Sequence, residues 1–181
     1  IMKKLFAAST HPSTHAEVLQ IQQYQVGGKY SCHFDPFWDN DKSAMIDPDL
    51  LLGGQRIKTL ITYLYDTPLG GETVFPYASK LSTTTRSSRL DFKEIGIDEV
   101  CKNNYEQDKT LLVQKPIQGT SLLFHHYLPN GRTFDLRSWH CSCPVRPSKN
   151  NADSENTKWI AQLWLRGESL VMYRDPSLIA M

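Results

Sequence analysis

Apolar and polar positions alternate in short runs along most of the chain, and Gly and Pro punctuate the runs. Alternation of period two marks strands, because successive side chains point to opposite faces. On this basis strands are predicted over Glu17–Val26, closed by Gly27-Gly28, and over Tyr30–Phe37. A third is predicted over Ile57–Tyr65, which is rich in β-branched and aromatic residues and stops at Asp66-Thr67-Pro68. Thr73–Phe75, Thr110–Gln114, Ser121–His125, Trp139–Cys143, Trp159–Leu165 and Leu170–Tyr173 complete the series. Residues 2–8 read as a short helix ended by Ser9-Thr10-His11-Pro12. Three polar stretches, Asn40–Gly54, Ser79–Cys101 and Ser148–Thr157, read as loops, and loops this long are usually functional or disordered. Many short strands with few helices predict a mainly β fold, a sandwich or barrel.

Composition narrows the classes. The 181 residues suffice for one domain with a real core, and with no repeat or linker in view, residues 1–181 read as a single domain. Twenty basic and nineteen acidic residues leave a net charge of +1, which provides no electrostatic footprint for nucleic acid. No apolar run reaches the roughly 20 residues of a membrane span. The opening Ile1-Met2-Lys3-Lys4 is too abrupt for a targeting segment, so the chain is expected to be a fragment whose natural N-terminus lies upstream. Cys32, Cys101, Cys141 and Cys143 form no paired knuckle, which argues against structural zinc. Cys141 and Cys143 are too close to bridge each other. Either one bonds Cys101, in an oxidising compartment, or all four are free thiols.

The chemistry concentrates in Tyr30-Ser31-Cys32-His33-Phe34-Asp35. On a strand, His33 and Asp35 share a face. A second histidine from a distant strand would complete a two-His-one-carboxylate set, which holds Fe(II) and leaves positions open. The pair alone is weak evidence, since an ordinary surface or core pair of this kind is far commoner. His11 and His15 fall in a short loop and read as solvated. His125 and His126 are adjacent, so at best one of them reaches a site. His140 occupies or begins a late strand, which in a jelly roll can return beside an early one. Lys158 enters an otherwise apolar strand. If it faces inward it needs a partner, which a dicarboxylate would supply; at a strand edge it would reach water instead.

Read together, these segments resemble the prolyl 4-hydroxylase family, most closely its plant and algal type. The resemblance is carried in order by Glu17-Val18-Leu19-Gln20-Ile21, Tyr24, Gly27-Gly28-Lys29-Tyr30 and His33-Phe34-Asp35. It continues through Gln55-Arg56, Gly70-Gly71-Glu72-Thr73-Val74-Phe75-Pro76, Ser138-Trp139-His140, Cys143-Pro144-Val145, Lys158-Trp159 and Trp164.

The resemblance implies a double-stranded β-helix and an Fe(II)- and 2-oxoglutarate-dependent dioxygenase. Such an enzyme uses O2 and ascorbate and hydroxylates peptidyl proline at C4, releasing succinate and CO2. His33, Asp35 and His140 match the iron ligands. Lys158 matches the lysine that pairs with the distal carboxylate of 2-oxoglutarate, with Tyr24, Thr73 and Trp164 beside the same cosubstrate. Arg56 and Tyr30 match residues that face a proline-rich peptide. Cys101 and Cys143 match a disulfide pair, with Cys141 as a competitor, and the family implies the endoplasmic reticulum lumen or secretory pathway.

Two departures stand out. Pro147–Thr157 looks like an insertion, and it brings Lys149 in as a rival to Lys158; Trp159 and Trp164, in register, favour Lys158. The family region upstream of residue 1 is also expected to lie outside this fragment. Rival readings are an oxygenase for another protein or a small molecule, a nucleic-acid demethylase disfavoured by the neutral charge, and a non-catalytic jelly-roll module. The loops Asn40–Gly54 and Ser79–Cys101 are candidate lids.

Overall fold

A computed structural model describes residues 6–7, 9–37, 53–78, 95–102, 111–147 and 156–170. Its strands are β1 (Gln20–Tyr24), β2 (Tyr30–His33), β3 (Arg56–Tyr63), β4 (Thr73–Phe75), β5 (Leu112–Gln114), β6 (Ser121–His125), β7 (His140–Ser142) and β8 (Lys158–Arg166). They form two four-stranded sheets, ordered β1-β8-β3-β6 and β2-β7-β4-β5, and every pairing is antiparallel. This is the expected jelly roll.

Period-two alternation assigns the faces. On β8, Lys158, Ile160, Gln162 and Trp164 line the interior between the sheets. Leu163 and Leu165 point the other way and pack with Leu60 and Ala16 against Phe6, Leu19 and Leu123. Between the sheets Ile61, Tyr63 and Ile160 meet Tyr24 and Phe124. The outer face of the second sheet carries Val74, Cys141 and Cys143, covered by Ile97 and Val100. Those two lie on a short helix, α1 (Ile97–Val100), inside a stretch expected to be loop. The inner faces are also tied by polar bonds: Tyr63 Oη donates to Thr73 Oγ1 at 2.7 Å and Lys158 Nζ to Ser142 Oγ at 2.7 Å.

Several strands are shorter than the alternation implied. β2 ends at His33, short of Pro36, which lacks the N–H a ladder requires. Leu170 lies outside any strand, its N–H donating to Thr14 O. The rest of the predicted Leu170–Tyr173 strand lies outside the described residues, as do most of the three long loops and of the predicted 2–8 helix, of which Phe6 and Ala7 are helical.

Cys101 bonds Cys143. Cys141, expected as a competitor for Cys101, instead bonds Cys32 across β2 and β7. Asn156 Nδ2 donates to Leu69 O and Arg146 O.

Candidate metal centre and active site

The pairing of β2 with β7 places His33 directly opposite His140, their ring centroids 4.4 Å apart. Asp35 follows two residues after His33 and is buried. One ligand atom from each of the three lies within 4.8 Å of the others. His33 Nε2 stands 3.4 Å from Asp35 Oδ1, and His140 Nε2 stands 3.8 Å from Asp35 Oδ2.

Backbone carbonyls orient both rings. His33 Nδ1 bonds Ser31 O at 2.7 Å and His140 Nδ1 bonds Ser138 O at 2.9 Å. A carbonyl only accepts, so each Nδ1 carries the proton and each Nε2 lone pair faces the shared space. Outer partners of this kind fix the tautomer of metal-binding histidines. Burial pushes His140 below its ordinary pKa and keeps it neutral. Burial pushes Asp35 up, but the neighbouring imidazoles, His140 foremost, outweigh it and hold the carboxyl well below its ordinary range. Neutral imidazoles with an ionised carboxylate are the protonation states that metal binding requires.

A second layer, not foreseen from the sequence, supports Asp35. Thr59 Oγ1 donates to Asp35 Oδ2 at 2.5 Å and sits 2.8 Å from His126 Nε2. The hydroxyl hydrogen being spent on Asp35, His126 donates Nε2–H to Thr59. His126 is fully buried, its Nδ1 has no hydrogen-bond partner, and burial pushes its pKa down to about 3. One of the adjacent pair thus reaches the site, as support for the carboxylate, while His125 is exposed. His11 and His15 lie elsewhere, both on the Arg166 carbonyl. The inward parity of β3 (Thr59, Ile61, Tyr63) was the available signal for Thr59 and Tyr63.

The centre opens into a cavity of about 240 Å³ that Tyr24, Thr73, Lys158 and Trp164 also line. Lys158 is 1% exposed, so it does not reach water. Its Nζ lies 5.3 Å above the Tyr24 ring and 5.6 Å from that of Tyr63. Lys149 lies outside the described residues. Trp164 Nε1 is buried without a hydrogen-bond partner. A buried ammonium and an unspent indole donor in one cavity suit an anionic ligand.

Tyr30 and Arg56 line the same cavity. Tyr30 is half exposed at 49%, its ring 4.3 Å from that of His33. Arg56 is heavily engaged: Nε and Nη2 donate to Glu17 at 2.7 and 2.9 Å, and Nη1 to Asp35 O at 3.2 Å. Its guanidinium carbon is 3.8 Å from the Trp164 ring centroid. A larger cleft, about 770 Å³, runs along β6 and shares with the centre the rings of Phe75 and Phe124, which pack on His140. Among the described residues it shows no converging ligand set, so size does not identify the site.

A jelly roll that brings two imidazoles and a carboxylate together beside an open cavity defines the facial-triad class of non-haem Fe(II) proteins. The comparisons specify it: residues 19–166 match the 2OG-Fe(II) oxygenase superfamily, and the chain belongs to it. Fe(II), 2-oxoglutarate and O2 are that superfamily's reagents. The chain is 36% identical over 166 residues to probable prolyl 4-hydroxylase 7 of Arabidopsis thaliana, covering 92% of this chain and 43% of the relative. To probable prolyl 4-hydroxylase 9 of the same plant it is 33% identical over 168 residues, covering 93% and 47%. It thus spans about half the length of these relatives. The viral collagen prolyl hydroxylase of Paramecium bursaria Chlorella virus-1, solved with 2-oxoglutarate, shares the fold at a TM-score of 0.50 and 22% identity, covering 91% of this chain and 68% of that one.

Proposed function

We propose that this chain is the catalytic domain of a peptidyl-proline 4-hydroxylase acting on proline-rich, hydroxyproline-glycoprotein- or collagen-like sequences, with succinate and CO2 as co-products. The observation that carries the reading is the convergence of His33, Asp35 and His140, both Nε2 lone pairs facing inward, in one cavity with buried Lys158. His33, Asp35 and His140 would hold Fe(II), and the donor set of two nitrogens and one oxygen suits that ion. When bound, Fe(II) with 2-oxoglutarate and O2 supplies the oxidising power to hydroxylate an unactivated C–H bond.

The protein's own work is to bind and orient. Lys158 takes the distal carboxylate of 2-oxoglutarate as a compact cation, and Tyr24 and Thr73 offer hydroxyls beside it. Burial raises the Tyr24 phenol to about 12, so it stays protonated, and its O–H donates to Gln22 Oε1 at 2.7 Å. Trp164 provides the indole N–H and a flat wall. Phe75 and Phe124 shield the His140 side of the centre from water. A polyproline II peptide keeps its shape at low entropic cost and suits an aromatic mouth such as that of Tyr30. Arg56, held by Glu17, shapes the wall against which the peptide lies. Two disulfides fit an oxidising compartment, and the endoplasmic reticulum lumen or secretory pathway is the proposed location.

The test is succinate release from 2-oxoglutarate with Fe(II) and ascorbate, with and without poly-proline, and with His140→Ala as control. Peptide-stimulated turnover lost in the variant is expected. Turnover that no proline peptide stimulates assigns another substrate. A folded protein that neither binds Fe(II) nor turns over is a non-catalytic module, and the proposal fails.

A further inference from the structure

We infer that the Cys32–Cys141 disulfide is a positioning bond for the metal centre, holding the two histidine-bearing strands at the separation a divalent ion requires. The inference rests on the metal reading of His33, Asp35 and His140. Cys32 immediately precedes His33 and Cys141 immediately follows His140. Cys32 and Cys141 flank the opposed His33 and His140 on paired antiparallel strands, and their Cα atoms are 4.1 Å apart even though the ladder shifts register between Tyr30 and His33. Neighbouring side chains alternate faces. The histidines therefore enter the cavity, while Cys141 joins Val74, Ile97 and Val100 on the outer face with Cys32 packed against them. One covalent bond thus lies directly behind the ligand pair.

The supports of the ligands are unequal. Asp35 is held by Thr59, its own carbonyl by Arg56, and the chain just beyond it by Gln55, which bonds both Phe37 N and Phe37 O at 2.6 Å. His140 sits on β7, between β2 and β4. His33 closes a four-residue edge strand whose sheet neighbour is β7, and the register slips between Tyr30 and His33. A short, bulged edge ladder tolerates slippage, so the disulfide is the firm hold on the His33–His140 distance. Cys101–Cys143 joins the same outer cluster and is adjacent to no ligand, which makes it the matched control.

The test compares Mn(II) affinity of the metal-free full chain by calorimetry in two double variants, Cys32→Val with Cys141→Ala and Cys101→Val with Cys143→Ala. Both are expected to melt at lower temperature. The first should raise the Mn(II) Kd about ten- to hundredfold, the range typical of lost ligand-orienting partners, and the second should change it less than about twofold. Equal changes in the two variants, or none in the first, would overturn the inference and leave the bond a fold staple. If the first variant does not fold, the wild-type chain decides through linkage. Mn(II) should then shift the Cys32–Cys141 thiol–disulfide equilibrium toward the bond by the same factor and leave Cys101–Cys143 unmoved; an identical shift at both bonds refutes the idea. Failure of the wild-type chain to bind Mn(II) at all removes the metal reading itself, a different outcome from binding that ignores the disulfide.

Discussion

Lys158 offers the sharpest test of how the cavity recognises its cosubstrate. Its side chain is 1% exposed, and burial pushes its pKa from an ordinary 10.5 down to about 7, with Glu72 partly opposing the shift. At pH 7 the amine is therefore about half protonated before any ligand arrives. A carboxylate seated on it favours the ammonium and raises its pKa again. Binding of 2-oxoglutarate should accordingly take up about half a proton at pH 7 and close to one at pH 8, and affinity should fall about tenfold per pH unit above 7. The assay is calorimetric titration of the Mn(II)-loaded chain with 2-oxoglutarate in buffers of different ionisation enthalpy. Affinity that is flat from about pH 6.5 to 9, with no proton uptake, would refute the assignment of Lys158 as the carboxylate partner.

The same burial has a consequence for stability, with a definite sign. The folded pKa lies below the unfolded one, so between about 7 and 10.5 the unfolded chain binds more protons and stability of the ligand-free protein rises with pH. Below pH 7 the penalty for burying the ammonium is fully present. Lys158→Met keeps the aliphatic stem and removes the charge. At pH 6.5 this variant should unfold at higher urea than the wild type, yet bind 2-oxoglutarate about ten- to hundredfold more weakly, the loss of a charge-assisted bond of about 1.5–3 kcal/mol. A variant that is destabilised at pH 6.5 would mean the lysine is already well paired without ligand.

Other consequences follow from single contacts. Thr59→Val removes the bond to Asp35 Oδ2 and should weaken Mn(II) binding about tenfold or more, whereas Thr59→Ser should retain it; equal affinities in the two variants would argue against the hydroxyl's role. Gly71 has φ +72°, and an added Cβ would lie 3.1 Å from Lys158 Cδ. Gly71→Ala should therefore lower both the melting temperature and 2-oxoglutarate affinity, measured by thermal scan and calorimetry. Leu163→Ala empties a site in the outer core of the first sheet and should cost about 2–5 kcal/mol in urea unfolding with Mn(II) affinity unchanged.

The separation between what the sequence disclosed and what it withheld follows the range of each signal. His33 and Asp35 were legible because strand periodicity acts over two residues, and the inward parity of β8 makes Lys158, Ile160, Gln162 and Trp164 one lining. Strand bounds ran long where a polar bond or a proline, rather than hydropathy, ends the ladder, as before Pro36. α1 was missed because four residues carry too little periodicity, and two buried side chains are enough to seat it. Thr59 and His126 act through space on Asp35 from other strands, and adjacency to His125 showed only that one of the pair turns inward.

The cysteines are the instructive case. Counting and spacing left Cys141 competing with Cys143 for Cys101, since neither quantity contains register. The ligand set contains it. In a regular antiparallel pair, each step forward on one strand is a step back on the other, so placing His33 across from His140 brings Cys32 toward Cys141, and the two bond although the ladder shifts between Tyr30 and His33. A facial triad assembled from these two histidines on paired strands therefore favours that second bridge wherever thiols oxidise. A chain shown to bind metal through His33 and His140 while Cys32 and Cys141 stayed unpaired under oxidising conditions would break the register argument at its root.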